Sequence, residues 1–305
     1  FTFGIARNNF FSFGKKPLLV GISSINNSDL ELSQLLSNLF GKSFCKTISQ
    51  NNYFKLSNKN NLKFNTAYKL DNPNIYYLNK FSSDVLSLRN NDFSYEKNKK
   101  DSFLNIKNSR EKLKCSFLFI VGKHYLYMKK LRDFINLKIY IDIDQRLLPY
   151  YKNKFNSYDV EEFDSSIRLS KKSKIEYENK QIHASDLIFK ILPLNNKVSF
   201  KENIQLPKQR LEVTMANGYF HDSLAHNLIA LCSANITVDN FDQIDKITLS
   251  IEVDITKEDI EQISKYLIPN CEDLVINSDF WKSGLLGIIQ IIAVKHIADI
   301  LTHSN

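Results

Sequence analysis

Three short apolar runs are the feature that most constrains the fold of this chain. They occupy residues 18–23, 116–121 and 137–143, and polar residues flank each of them. Such runs are typical of parallel strands that are covered by helices on both faces. Helical or polar segments separate the runs, as in a layered α/β domain. The sequence therefore predicts a parallel sheet with helices on both faces over residues 17–200, preceded by an N-terminal arm at residues 1–16.

After residue 200 the pattern changes to alternation of apolar and polar residues, as in "QRLEVTMANGY" and "KITLSIEVDI". Alternation predicts half-buried strands, and "TKEDIEQISKYL" predicts a helix that Thr256 and Asp259 cap. The last apolar segment contains Gln290, Lys295 and Asp299, so we interpret it as a core helix and expect no transmembrane segment. Residues 201–305 are predicted to form a smaller α+β domain.

Charge and cysteine content narrow the class of protein only slightly. The chain has 41 basic and 33 acidic residues, a formal net charge of +8, and the basic residues are scattered. Four widely spaced cysteines without a Cys-x-x-Cys motif favour free thiols, and the histidines show no ligand spacing. We expect a soluble protein of a reducing compartment, in the cytoplasm or inside an organelle, that holds no metal.

The segment "PLLVGISSINNSDLELSQLLSNLF", residues 17–40, predicts a strand, a turn and a helix, which is where many proteins hold a nucleotide phosphate. A phosphate loop requires Gly-x-x-x-x-Gly-Lys-Ser/Thr, and no two of the eight glycines are five residues apart. Ser28 and Glu31 instead predict a capping box, so the helix satisfies its own backbone donors. The negative charges of Asp29 and Glu31 would also repel a phosphate there.

At these residues the chain resembles the uridine kinase and phosphoribulokinase family of P-loop kinases, in a degenerate form with a phosphoribulokinase-like C-terminal domain. "LLVGIS" resembles the family's first strand, "ISQNNYFKL" the segment with an acidic pair that supplies the base, and "FLFIVGKHYLY" the strand that ends in Glu-Gly. The resemblance implies that all the family's phosphate-handling positions are changed. Ser24 and Asp29 stand for the two loop glycines, Leu30 for the lysine and Glu31 for the magnesium hydroxyl. Asn51 and Asn52 stand for the acidic pair, and Val121 for the glutamate.

Other pieces resemble the family's scaffold and its phosphate-binding lid. "LRDFINLKIYIDID", "HASDLIFKI" and "FWKSGLLGIIQIIAVKHIADIL" resemble structural segments, whereas "RLLPYYKNKFNSY" resembles an arginine-rich lid that keeps one arginine. Scaffold pieces are retained and phosphate-handling pieces are not. Residual anion contacts, if a phosphorylated ligand still binds, are predicted at Lys123, His124, Arg146, Lys152 and Lys154.

The joint loss of lysine, hydroxyl, base and glutamate removes most of what catalyses phosphoryl transfer. The sequence therefore predicts a catalytically inactive kinase-fold protein, without a cofactor, that acts as a structural or interaction subunit of a larger assembly. Its candidate protein contacts are the phenylalanines at 10–13, Phe280 and Trp281, and a homo-oligomer is possible.

Two alternatives remain open at this stage. One is a divergent ATP-dependent kinase of a nucleoside or sugar phosphate, or a sensor of such a ligand. The other is a nucleic-acid-associated subunit, which the net charge and the lysine runs at 97–100 and 171–174 suggest. The likeness to phosphoribulokinase also makes a plastid one candidate compartment.

Overall fold

The structure is a computed structural model that describes residues 16–24, 28–55, 73–90, 115–151, 179–195, 206–216, 219–239 and 245–303. The described strands form one eight-stranded sheet in the order β2-β3-β1-β4-β5-β6-β8-β7. In chain order the strands are β1 (Leu18–Ser24), β2 (Cys45–Ser49), β3 (Phe117–Val121), β4 (Leu137–Ile143), β5 (Leu187–Pro193), β6 (Gln209–Ala216), β7 (Asn235–Asp239) and β8 (Lys246–Glu252).

The first five strands are parallel, which confirms the predicted fold class. The runs predicted at residues 18–23, 116–121 and 137–143 are β1, β3 and β4, and these three strands lie side by side in the sheet. Almost all of their residues are buried, because helices cover both faces. The carboxyl ends of β1, β2 and β3 therefore meet at one edge of the sheet.

The C-terminal strands continue the same sheet in antiparallel orientation. β6 pairs with β5, β8 pairs with β6, and β7 pairs with β8. The alternation that the sequence shows is the burial pattern of β6 and β8: every second residue is buried on the face that carries Leu211, Val213 and Leu249. Residues 206–303 thus form an α+β extension of the sheet, and the domain boundary near residue 200 stays a prediction.

The described α-helices cover the two faces of the sheet. They are α1 (Ser28–Phe40), α2 (Leu78–Asn90), α3 (Lys129–Arg132), α4 (Leu148–Tyr151), α5 (Asn179–His183), α6 (Tyr219–Cys232), α7 (Lys257–Leu267), α8 (Cys271–Leu274) and α9 (Gly284–His303). Single 3₁₀ turns at Gln50–Tyr53, Tyr125–Tyr127 and Ser278–Phe280 lie between them.

Each face of the sheet has its own apolar core. The larger core lies beneath α1, α6, α7 and α9 and includes Trp281, which is 2% exposed. The smaller core lies on the opposite face, where Phe81 and Val85 of α2 pack with Tyr125, Leu126 and Leu131 against Leu19 and Ile120 of the sheet. The two cores make β1 and β3 the central, doubly covered strands.

Helix α9 belongs to the larger core. Among the described residues it is the one helix long and apolar enough to cross a membrane, yet 56% of that span is buried inside the protein. Gln290 is fully buried, and its amide accepts from the Lys282 N–H (2.8 Å) and donates to the Phe280 carbonyl (3.1 Å). A Cβ at Gly287 would lie 2.1 Å from the Lys282 carbonyl oxygen, so the loop packs directly on the helix backbone.

The N-terminal helix and the C-terminal region are joined by backbone hydrogen bonds. The Leu39 carbonyl at the end of α1 accepts from the N–H groups of Ile276 (2.9 Å) and Asn277 (3.1 Å). The side-chain amide of Asn277 also donates to the Asn38 carbonyl (3.1 Å). These contacts satisfy carbonyls that a helix end leaves without intrahelical donors.

The capping box predicted at α7 is confirmed. The Asp259 N–H donates to Thr256 Oγ1 (3.2 Å), and the Asp259 carboxylate accepts from the Thr256 N–H (3.1 Å) and hydroxyl (2.7 Å). Two otherwise unsatisfied donors at the helix start therefore receive partners.

Candidate functional site

The turn from β1 to α1 contains a buried serine and a buried carboxylate that bind each other. The Ser24 hydroxyl donates to Asp29 Oδ1 (2.9 Å), and the Asp29 N–H donates to Ser24 Oγ (3.1 Å). Asp29 is 6% exposed and lies in the first turn of α1, where the helix dipole stabilises a negative charge. The positions predicted to have lost the two loop glycines are thus joined in one hydrogen-bonded pair.

Burial raises the pKa of Asp29 to about 6, against the opposing effect of its hydrogen-bond donors. The Ser24 hydroxyl, at the end of β1, donates to this carboxylate. The nearby N–H groups of Leu30, Asp29 and Gly122 also lower its pKa, while the Gly122 N–H itself donates to the Ile22 carbonyl (3.3 Å) and the Asp29 N–H to Ser24 Oγ. A protein phosphate site uses backbone donors at such a helix start, and here they face a carboxylate of the chain itself.

The next two residues that the resemblance assigns to the phosphate loop carry no cation. Leu30, predicted at the position of the phosphate lysine, is 39% exposed, and Glu31 is half-buried. Neither side chain can neutralise a phosphate, and a glutamate at the start of α1 adds negative charge. The capping box between Ser28 and Glu31 stays a prediction.

At the end of β2 the two predicted base positions are exposed amides. Asn51 and Asn52 lie in the 3₁₀ turn that follows the strand, and the Asn51 N–H donates to Ser49 Oγ (3.3 Å). An amide has no basic lone pair of useful pKa, so it cannot remove a proton from a substrate hydroxyl.

Gln50, which precedes these amides, is a residue that the sequence interpretation missed. Its side chain is fully buried, and its Oε1 accepts from the His124 N–H (2.8 Å). A Cβ at Gly122, whose φ is +154°, would lie 2.4 Å from Gln50 Cβ. Gln50 therefore ties the ends of β2 and β3 together, and Gly122 is required for that close approach.

The end of β3 places three predicted residues in different environments. Val121, at the family's glutamate position, is 1% exposed and belongs to the larger core. Lys123 is half-buried, and its carbonyl accepts from Ser23 Oγ (3.2 Å). His124 is fully buried, with its ring 6.0 Å from that of Tyr76. The role of Lys123 and His124 as anion contacts stays a prediction.

Arg146, the one arginine kept from the family's lid, is bound to a neighbouring carboxylate. Its Nε and Nη2 donate to the two oxygens of Asp144 (both 2.8 Å), and its backbone N–H donates to Oδ1 (2.9 Å). These bonds raise the pKa of Arg146, and the ion pair leaves little net charge for a ligand. Lys152 and Lys154 lie outside the described residues.

Tyr125 is a second buried residue that the sequence did not reveal. Its ring lies against β1, because a Cβ at Gly21 would be 2.5 Å from Tyr125 Cε2. Burial raises the pKa of this phenol well above its ordinary value, with the charges of Asp186 and Asp29 as further causes. Glycine inside a strand marks close approach of another group, so Gly21 was the available signal.

The described residues offer little other chemistry at this edge of the sheet. They contain no cluster of three or more histidine, cysteine or acidic side chains that could hold a metal ion. At the opposite, amino end of β2, burial raises the pKa of the Cys45 thiol to about 12, so this cysteine is protonated and a poor nucleophile. The start of α1 therefore holds an anion, and that anion is the Asp29 carboxylate of the chain itself.

Comparison with known proteins identifies the fold. No protein-family model and no curated protein matches the sequence. Among solved structures, the chain is similar to phosphoribulokinase from Rhodobacter spheroides, with a TM-score of 0.51 and 10% identity, over 77% of this chain and 90% of that one. At this identity the likeness concerns the fold alone. The chain has a P-loop-kinase-like fold of the phosphoribulokinase and uridine kinase type.

Proposed function

We propose that this protein is a catalytically inactive kinase-fold protein that serves as a structural or interaction subunit of a larger assembly. The observation that carries the proposal is the position of the Asp29 carboxylate. It is buried at the start of α1 and accepts from the Ser24 hydroxyl, at the helix start where a nucleotide phosphate binds in proteins with a phosphate loop. An internal anion in this place competes with any phosphate through both space and charge.

The remaining parts of phosphoryl transfer are also missing from the positions that the sequence resemblance assigns to them. Leu30 supplies no cation, Asn51 and Asn52 supply no base, and Val121 is in the core. Positioning and charge neutralisation provide nearly all of the catalysis of phosphoryl transfer. Their combined loss supports a scaffold more than a slow kinase.

Thermal unfolding of the purified protein, with and without magnesium ATP at millimolar concentration, tests inactivity. A ligand at about 100 times its dissociation constant stabilises a protein by about 2.7 kcal/mol, which raises the melting midpoint by several degrees. We expect no shift with magnesium ATP and no phosphate transfer to nucleosides or sugar phosphates. A magnesium-dependent shift would contradict the proposal and favour a divergent kinase or a nucleotide sensor.

The role in an assembly is tested in native extract. We expect the protein to co-purify with a partner in fixed stoichiometry and to elute far above its 35.5 kDa mass on size exclusion. Elution as a lone stable monomer would contradict an assembly role. Phe280 is 38% exposed, whereas Trp281 is a core residue, so Phe280→Ala is the first variant to test for a loss of partner binding. The phenylalanines at 10–13 lie outside the described residues.

A further inference from the structure

The layer on the smaller core's side of the sheet has a distinct outer surface. Residues 76–90 and 123–134 bury Phe81, Val85, Tyr125, Leu126 and Leu131 in the smaller core and have a set of exposed charged and aromatic side chains on the outside. We call the outward side of these two segments, with Lys55 beside them, the basic aromatic surface. Apart from Lys123 and His124, which adjoin the candidate site, its residues are not among the predicted site positions, and its properties do not depend on whether the kinase site is active.

Charge on this surface is concentrated and predominantly positive. Residues 73–90 and 122–136 carry six lysines and arginines but only two carboxylates. One of those carboxylates, Asp84, accepts a hydrogen bond from the Tyr53 hydroxyl (2.8 Å). Lys80, Lys129 and Lys130 are exposed to solvent.

The layer on the other face of the sheet has the opposite charge. Residues 256–280, which include α7 and α8, carry six carboxylates and only two lysines. Both lysines are within ion-pair distance of a carboxylate, Lys257 with Asp279 (3.6 Å) and Lys265 with Glu261 (3.5 Å). The net charge of +8 is therefore not spread evenly, and the basic aromatic surface is more than a reflection of lysine-rich composition.

Aromatic rings are exposed among these cations. Tyr77 is 52% exposed, Tyr127 46% and Phe134 39%. Two of the rings have a cation on one face: Lys55 Nζ lies 5.4 Å from the Tyr77 centroid, and Arg89 Cζ lies 4.7 Å from the Phe134 centroid. Exposed rings next to cations place a stacking surface and a phosphate contact side by side.

We propose that the basic aromatic surface binds single-stranded nucleic acid. Lysines that track a phosphate backbone, together with aromatic rings on which unpaired bases stack, are the two requirements for binding a single strand without a sequence motif. Paired bases in a duplex cannot reach the rings, so a duplex would gain only the phosphate contacts. An acidic peptide or an anionic membrane would use the lysines but does not present a planar base beside every phosphate, as a single strand does.

Fluorescence anisotropy with the full chain and a labelled, mixed-sequence single-stranded oligonucleotide tests the proposal. We expect Tyr77→Ala to weaken binding about fivefold or more and Tyr77→Phe to change it less than about twofold, because the ring is what stacks. The same labelled strand annealed to its complement should bind more weakly. Far-UV circular dichroism and the melting midpoint establish that each variant is folded.

Salt dependence separates the lysines from the ring. Each phosphate contact on a single strand contributes about 0.7 to the slope of log affinity against log salt concentration, so the double variant Lys129→Ala, Lys130→Ala should reduce that slope by about 1.4. The matched control is Lys42→Ala, Lys208→Ala, which removes two exposed lysines elsewhere and should leave the slope unchanged.

Three outcomes would overturn the proposal. The first is absence of oligonucleotide binding at low salt. The second is binding that Tyr77→Ala does not alter and that heparin matches, which would indicate unspecific attraction of polyanions. The third is binding to phosphatidylserine vesicles without binding to the single strand, which would identify a membrane surface instead.

Discussion

At the scale of single residues, the Asp29 carboxyl group makes the stability of this protein depend on pH in an unusual direction. Its pKa rises from 3.8 to about 6 on folding because the group is buried. Between these two values the folded state holds a proton that the unfolded state has released, so the free energy of unfolding falls as pH rises through this window. Above it, the carboxylate is charged and its burial costs stability.

The test compares the wild type with Asp29→Asn, a nearly isosteric neutral variant. Relative to the variant, the wild type should lose about 2 kcal/mol of unfolding free energy between about pH 4 and pH 7. Urea denaturation at several pH values measures the difference between the two proteins, in which contributions of other carboxyl groups cancel. A difference that stays constant over this range would show that Asp29 is not a buried carboxylate.

Gly21 and Tyr125 provide a second test at the same scale. A methyl group at residue 21 would lie 2.5 Å from the Tyr125 ring, so Gly21→Ala should destabilise the protein by about 1–3 kcal/mol through overpacking. In a Tyr125→Leu background the ring is absent, and the cost should be smaller by about 1 kcal/mol or more. Equal costs in both backgrounds would contradict direct contact between the two residues.

At the scale of elements, the capping box of α7 predicts a measurable contribution from one hydroxyl group. Thr256→Ala removes the acceptor of the Asp259 N–H and one donor to its carboxylate, and should cost about 1 kcal/mol. Thr256→Ser keeps the hydroxyl and should lie within about 0.5 kcal/mol of the wild type. Chemical denaturation of the three proteins measures this ranking, and an alanine variant as stable as the wild type would contradict it.

The elements that could be predicted from sequence are those whose signal is local. Apolar runs predicted β1, β3 and β4, and the Thr-x-x-Asp spacing predicted the start of α7. No apolar run predicted β2, because this strand lies at an edge of the sheet and most of its residues are only half-buried. Only the resemblance of "ISQNNYFKL" to the family's second-strand segment indicated a strand there.

The site could be predicted only in part, because several of its contacts join distant residues. The loss of the phosphate loop is visible in the glycine positions, but the bond between Ser24 and Asp29 is not. Gln50 and His124 are 74 residues apart, and no periodicity or motif connects them. Their contact follows from the parallel pairing of β2 with β3, which only the folded chain establishes.

At the scale of the whole molecule, one sheet and one large core join the N-terminal and C-terminal parts. The core on the α1 side contains residues from Leu18 to Ala298 and includes the single tryptophan, Trp281. We therefore expect one cooperative unfolding transition, in which Trp281 fluorescence and far-UV circular dichroism change together. Two separate transitions would contradict this and would support independent domains on either side of residue 200.

The bonds between the end of α1 and residues 276–277 also affect how the protein is made. A chain emerges from the ribosome N-terminus first. The Leu39 carbonyl therefore lacks its hydrogen-bond donors until residues more than 230 positions downstream have been synthesised. The apolar face of α1 likewise lacks α9 until residues 284–303 appear. Until then the nascent chain should depend on chaperones, and messages truncated before residue 276 should yield insoluble products.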